Sequence, residues 1–294
     1  VTGCGEMDKY LLKRLQAERD SFSKRQKLIA DYIINNYDKA AFMTAAKLGK
    51  TVNVSESTVV RFAAELGFEG FPQMQKVLQD IVLSKLTAVQ RIEVASDRMD
   101  KNNVLNMVLR SHVDNILHTL EQTDRNEFNA VVDTVLGARN IYIIGVRSSS
   151  ALANFLGFYL NLIFPSVHIV STISMSEMFE QIFRISEDDV FIGISFPRYS
   201  QRTIRAMRFA LAKNAKVVAI TDSFNSPLCD CASYKLTAKS DMISFVDSLV
   251  APLSLINALI VAVSMRKKEE ISEVFKELEK IWDEYNVYEK FDNE

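Results

Sequence analysis

Two strings in this 294-residue sequence set serine hydroxyls beside an arginine directly after a short apolar run. One is Gly145-Val146-Arg147-Ser148-Ser149-Ser150, after Ile141-Tyr142-Ile143-Ile144; the other is Ser195-Phe196-Pro197-Arg198-Tyr199-Ser200, after Val190 to Ile194. Each leads into a stretch of helical period. Backbone N–H groups at a helix start, hydroxyls and a guanidinium together suit a phosphate or a similar anion. Serines also cap helices, a role compatible with anion binding. A third string, Ser55-Glu56-Ser57-Thr58-Val59-Val60-Arg61, has different chemistry. Ser55 reads as a helix cap, with Ser57, Thr58 and Arg61 projecting outward from the first two turns. Short hydroxyls and one bidentate donor there are what base edges in a DNA major groove require. Lys24, Arg25, Lys47 and Lys50 lie close enough in sequence to supply phosphate contacts.

The period of the flanking sequence predicts what positions these strings. From Lys9 to Leu86 it is helical. Ser23 caps a run with Leu28, Ile29, Tyr32 and Ile33, and further helices follow over Met43 to Leu48, Ser55 to Leu66 and Pro72 to Leu83, with Gly67 as a stop. Gly49 to Val54 reads as the turn of a helix-turn-helix, with Val54, Val59, Phe62 and Leu66 facing the core. Thr87 to Asp100 is polar and weakly periodic, as a connector would be. Helices are expected over Asn102 to Leu120 and Asp124 to Leu136. Short apolar runs then begin near residues 141, 168, 190, 216 and 234, with helical stretches between them. That alternation predicts a five-stranded parallel sheet flanked by helices, its strands buried on both faces. The expected organisation is an all-α head over 1–86, a linker over 87–100 and an α/β body over 101–294. In such sheets ligands bind beyond the carboxyl ends of the strands, where strand order reverses.

Composition bounds the reading. Hydrophobic residues at 48% and charged residues at 24% describe an ordinary globular chain, and the net charge of -2 excludes a uniformly polybasic protein. The charge is uneven: residues 1–86 carry 13 basic and 10 acidic side chains, a net +3, leaving -5 for the rest. A polyanion partner is therefore expected at the head alone. Three cysteines, Cys4, Cys229 and Cys231, make no even disulfide set and fit a reducing cytoplasm. Val1 to Glu6 lack the charged-then-apolar pattern of a signal peptide. The apolar stretch from Leu249 to Val263 is shorter than the ~20 residues of a membrane helix and reads as buried, so no membrane partner is expected.

The strings Ser23 to Ile33, Ala41-Phe42-Met43-Thr44 and Val54 to Ala63, followed by Leu66-Gly67-Phe68-Glu69-Gly70-Phe71-Pro72, resemble the N-terminal domain of RpiR-type transcriptional regulators. The resemblance covers nearly the whole chain. It implies that the head binds operator DNA, for which the residue pattern offers Ser55, Ser57, Thr58, Arg61, Lys47 and Lys50 as the expected contacts, and that the body is a SIS (sugar isomerase) domain, flavodoxin-like in fold, that senses a phosphorylated sugar. The family's first loop pattern, roughly G-x-G-x-S, falls on Ser148 and Ser149; the second, roughly S-x-S-G-x-T, falls on Ser195 and Ser200. Thr221-Asp222-Ser223 after the fourth run also fits. This chain departs from the patterns at Arg147 and Arg198, which stand where glycines are usual, and at Pro197, which removes a backbone donor. Arg147, Ser148, Ser149, Ser195, Arg198 and Ser200 are accordingly the expected effector-binding residues, holding a phosphosugar or a related anion in a changed pose. Alternatively, the arginines fill the pocket themselves.

An isomerase of this fold needs a general base beside the pocket. His112, His118 and His168 fall away from strand carboxyl ends, and Glu177 is the candidate acid; Ser174 and Ser176 are weaker candidates for the pocket wall. No catalytic residue, metal site or cofactor is implied, since G-x-G-x-x-G, Walker and H-E-x-x-H motifs do not occur. The reading is a ligand-responsive regulator in which effector binding alters the fit of two heads to DNA half-sites. The competing reading is a sugar-phosphate isomerase whose head serves dimerisation. The apolar helices at Ala151 to Phe164 and Leu249 to Val263 point to a homodimer or homotetramer.

Overall fold

The computed structural model describes residues 11–85, 87–96, 102–171 and 174–288. Cys4, the first six residues, the end of the expected linker and the last residues of the tail lie outside these. The chain divides into two compact units, Val1–Lys101 with Met242–Val246, and Asn102–Asp241 with Asp247–Glu294.

The first unit is helical: α1 (Leu11–Ala17), α2 (Lys24–Asn35), α3 (Tyr37–Ala40), α4 (Ala45–Thr51), α5 (Glu56–Glu65), α6 (Phe71–Lys85) and α7 (Ala88–Ser96). Ser23 starts α2 through a capping box: its hydroxyl accepts from the Gln26 amide while the Gln26 side chain accepts from the Ser23 amide. Apolar residues at helical spacing close one core, with Leu15, Ile29, Ile33, Leu48, Val59, Phe62, Leu66, Met74 and Leu78 buried. Arg14 Nη1 donates to the Leu66 carbonyl at 2.9 Å, satisfying an end of α5 that the helix itself leaves open. Gly67 follows with φ 85°, the left-handed stop its position suggested. The stretch expected to be a plain connector contains α7, because Thr87 caps it with its hydroxyl 3.3 Å from the Gln90 amide.

The second unit begins with α8 (Val104–Gln122) and α9 (Arg125–Leu136), the latter capped by Asp124. Then come β1 (Ile141–Gly145), α10 (Ser149–Asn161), β2 (Val167–Ile169), α11 (Met175–Ile182), β3 (Val190–Ile194), α12 (Gln201–Ala212), β4 (Lys216–Thr221), β5 (Tyr234–Thr237), α13 (Val250–Arg266) and α14 (Lys268–Glu284). The five strands are all parallel in the order β2-β1-β3-β4-β5. Side chains alternate across the sheet. Ile141 and Ile143 face a core with α9, α10 and α13, while Tyr142 and Ile144 face one with α11 and α12. β1 and β3 are buried throughout. β2 is not: it is the sheet's edge, with Ile169 39% exposed, so its apolar run is half-solvated rather than sandwiched.

At the amino ends of the strands, buried Asp189 accepts hydrogen bonds from Arg139 (3.2 and 3.1 Å), Asn140 (2.7 Å) and the Ser186 amide (2.8 Å). Burial opposes its ionisation, but these donors hold its pKa below the ordinary carboxylate value. The apolar Leu249 to Val263 stretch is the core helix α13, and no single helix among the described residues is long and apolar enough to cross a membrane. α14 leaves α13 at 97° and contributes no buried residue.

Candidate DNA-reading and anion-binding sites

The head contains two short helices joined by a tight turn. Thr44 caps α4 by accepting from the Lys47 amide at 3.2 Å. α4 continues through Gly49 and Lys50 to Thr51, so the turn is shorter than the expected Gly49 to Val54. Gly49 belongs in the helix for a packing reason: a Cβ there would lie 2.8 Å from the Val54 carbonyl oxygen. Its absence lets the turn fold back against α4, with Asn53 taking the left-handed bend at φ 57°.

Ser55 then caps α5, accepting from the Thr58 amide at 3.3 Å. Thr58 was expected to project outward. It does not: it is 9% exposed, and its hydroxyl lies 2.8 Å from that of Ser55, drawn into the cap. Ser55 and Ser57 are exposed, with their hydroxyls 2.9 Å apart. Arg61 is exposed too, with Nε 3.4 Å from the Ser57 carbonyl, and Lys47 and Lys50 are exposed on α4. The outward face of α5 also carries Val60, 40% exposed. Val60 is apolar like its buried neighbour Val59, so residue type alone does not mark it as outward-facing. Its spacing of three from Ser57 was the available signal, and an apolar side chain on such a face suits a thymine methyl group.

In the body, the last register pair of β1 and β3 is Gly145 with Ile194, so the two serine–arginine loops leave the sheet side by side. Strand order reverses between these strands, since β2 lies beyond β1 and β4 beyond β3. α10 and α12 then depart to opposite faces. A Cβ at Gly145 would lie 2.3 Å from the Ser149 carbonyl oxygen, so only glycine permits so tight a strand-to-helix turn. Arg147 (φ 59°) and Arg198 (φ 69°) both occupy left-handed backbone, the conformation for which glycine is favoured, and both are exposed. Ser148 stands at the start of α10 and is exposed, its side chain making no capping bond. Ser149 is 4% exposed.

The second loop is braced from beneath. Ser195 Oγ accepts from the Ser200 amide at 3.1 Å, and Ser200 caps α12 through the Thr203 amide. Thr221 Oγ1 donates to the Ser195 carbonyl at 2.8 Å. Tyr199 donates to the Asp222 carboxylate at 2.9 Å, and burial pushes both groups' pKa values up. Tyr199 escaped the sequence reading because its partner is 23 residues away and only the fold joins them. Ser174 caps α11 and lies 3.4 Å from Ser176, and Glu177 is exposed in the first turn of that helix. His112 and His118 lie on α8, and His168 stacks on Tyr142 in the middle of β2 at 4.9 Å. An apolar groove of about 310 Å³ runs among α8, α9 and α13, lined by Ile116, Leu120, Phe128 and Leu255 and by residues of neither loop.

Residues 9–85 match the family described as the helix-turn-helix domain of the rpiR family. Residues 135–262 match the SIS domain. An HTH-type transcriptional regulator of Haemophilus influenzae is 28% identical over 228 residues, which is 77% of this chain and 78% of that protein. The HTH-type transcriptional regulator HexR of Escherichia coli is 23% identical over 266 residues, 87% of this chain and 89% of that one. The solved structure of the Vibrio vulnificus NanR protein, complexed with ManNAc-6P, is similar in fold, with a TM-score of 0.57 at 23% identity over 92% of this chain and 98% of that chain. With an rpiR-family helix-turn-helix domain followed by a SIS domain on one all-parallel sheet, the chain belongs to the RpiR-type transcriptional regulators.

Proposed function

We propose that this regulator reads operator DNA with α5 and senses a phosphorylated sugar, or a related anion, in the crevice between the loops after β1 and β3. Residues 1–86 are the reader, 87–100 the linker and 101–294 the sensor. Ser55, Ser57, Arg61, Lys47 and Lys50 are the DNA-contacting residues, with Thr58 acting through the cap. Arg147, Ser148, Ser149, Ser195, Arg198 and Ser200 surround the effector. The observation that carries the sensor assignment is the Gly145–Ile194 register pair, which sets two hydroxyl- and arginine-bearing loops side by side at the point where strand order reverses. The ManNAc-6P in the NanR complex makes a phosphosugar the natural first class to test.

Regulation rather than catalysis is the proposed role, in the cytoplasm and as a homodimer or homotetramer. Exposed apolar side chains along α8, among them Leu105, Leu109, Val113 and Leu120, support self-association. A two-fold assembly would present two α5 helices to two half-sites, and the effector would change their fit. The test is fluorescence anisotropy on DNA from the protein's own control region, with and without a phosphosugar panel, beside light scattering for mass. Effector-dependent DNA affinity is expected. Interconversion of aldose and ketose phosphates that disappears in Glu177→Gln would instead favour the isomerase reading.

A further inference from the structure

We propose that α14 is an arm exchanged between two copies of this chain. It lies in the apolar groove among α8, α9 and α13 of the second copy, which returns its own α14 to the first. This rests on the self-association reading above and names the surfaces that carry it. The arm is amphipathic. Ile271 and Leu278, Val274 and Ile281, and Phe275 and Trp282 are pairs seven residues apart, which sets all six on one side of the helix. Yet no residue of α14 is buried, and Val274 and Ile281 are exposed. A helix of 17 residues with its apolar side open is marginal in water, so that side calls for a cover.

The groove has the complementary form. Ile116 and Leu120 of α8 and Phe128 of α9 contribute large apolar side chains, while Ala251, Ser254 and Ala258 of α13 contribute small ones. Small residues opposite large ones leave room for knobs the size of Phe275 and Trp282. The α8 side is as open as the arm, with Leu109, Val113, Ile116 and Leu120 all exposed. Leu109 with Ile116, and Val113 with Leu120, repeat the seven-residue spacing. The two helices also match in length, 19 and 17 residues, or about 28 and 25 Å.

The chain does not fill its own groove. No residue of α14 lines it, and the lining from α13 comes from the amino-terminal half, Ala251 to Ala258. α14 begins past the other end of α13, at Lys268, and leaves at 97°, across the direction that would bring it back. Charge favours the arm as the occupant. α14 carries seven acidic and three basic side chains, so two arms laid together repel, whereas Arg125 is the one charged residue in the groove's lining. Two grooves face to face would leave their hollows unfilled. A reciprocal exchange about a two-fold axis fills both and closes the assembly.

The experiment is complementation between two full-length variants. One has a spoiled groove, Ile116→Glu with Leu120→Glu; the other has a spoiled arm, Phe275→Glu with Trp282→Glu. None of the four side chains is buried, so circular dichroism and melting curves should match the wild type. By light scattering, each variant alone should associate about tenfold or more weakly than the wild type. Mixed, they should form heterodimers in native mass spectrometry, because the intact arm of the first fits the intact groove of the second. A groove variant that dimerises like the wild type shows arm paired with arm, and an arm variant that does so shows groove paired with groove. Either result overturns the exchange and leaves self-association standing, as does a mixture without heterodimers. A wild type that is monomeric at every concentration overturns the exchange and the self-association reading together.

Discussion

Tyr199 donates its hydroxyl between the two carboxylate oxygens of Asp222, at 2.9 and 3.1 Å, and so ties the loop after β3 to the end of β4. Because Tyr199 sits between Arg198 and Ser200, this bond positions both.

Tyr199→Phe should leave Asp222 half-buried with one donor fewer, costing about 1–3 kcal/mol of stability at pH 8. Burial raises the pKa of Asp222, so the folded state disfavours its ionised form, and this penalty grows as pH rises from the ordinary carboxylate value through the raised one. Losing the tyrosine donor raises it further. The gap between variant and wild type in urea unfolding should accordingly be smaller at pH 5 than at pH 8. A gap independent of pH would detach Asp222 from the effect.

Asp189 behaves in the opposite sense. Its pKa is held down against burial by Asn140, Arg139 and Ser186, so its stabilisation is present above the ordinary carboxylate value and lost as pH falls through the depressed one. Asp189→Ala should cost about 1–3 kcal/mol at pH 7 through the lost hydrogen bonds to Asn140, Ser186 and Arg139, since the half-exposed Arg139 side chain turns to water. In acid unfolding curves the difference from wild type should close below the carboxylate range.

On α5, Arg61→Ala should cost about 1–3 kcal/mol on operator DNA and relax preference at one base position. Lys47→Ala should weaken binding to all sequences alike and lower the salt slope by roughly 1. Thr58→Ala should instead lower thermal stability, by about 1 kcal/mol, since its hydroxyl serves the cap. Anisotropy titrations at several salt concentrations, with melting curves, separate these outcomes.

Gly49→Ala places a carbon against the Val54 carbonyl oxygen. A loss of about 1–3 kcal/mol is expected from the forced shift. DNA affinity should fall while phosphosugar binding by the body persists, as paired titrations would reveal.

Much of this was readable in advance because burial writes itself into short apolar runs. Ile141 to Ile144 and Val190 to Ile194 announce strands covered on both faces, and β1 and β3 occupy those positions. The run at His168 has the same look but an edge location, which depends on strand order rather than composition. The two arginine loops were visible from residue types alone, and their adjacency followed from where strand order reverses. Thr58 misled because a hydroxyl two residues after Glu56 suits a base contact and a cap equally; only the 2.8 Å approach to Ser55 separates them. The Tyr199–Asp222 bond and the unpartnered buried hydroxyl of Thr203 have no local signature. They are products of tertiary packing.

The helix α14 has 17 residues and none of them buried, although Ile271, Phe275, Leu278 and Trp282 recur along one side. A lone helix of that length is only marginally stable in water. Its amides should therefore exchange with deuterium far sooner than those of β1 and β3, which open only with the whole sheet. Should a second copy cover that side, exchange in α14 would slow as protein concentration rises while the sheet stayed unchanged. The bare helix would then be an internal gauge of assembly.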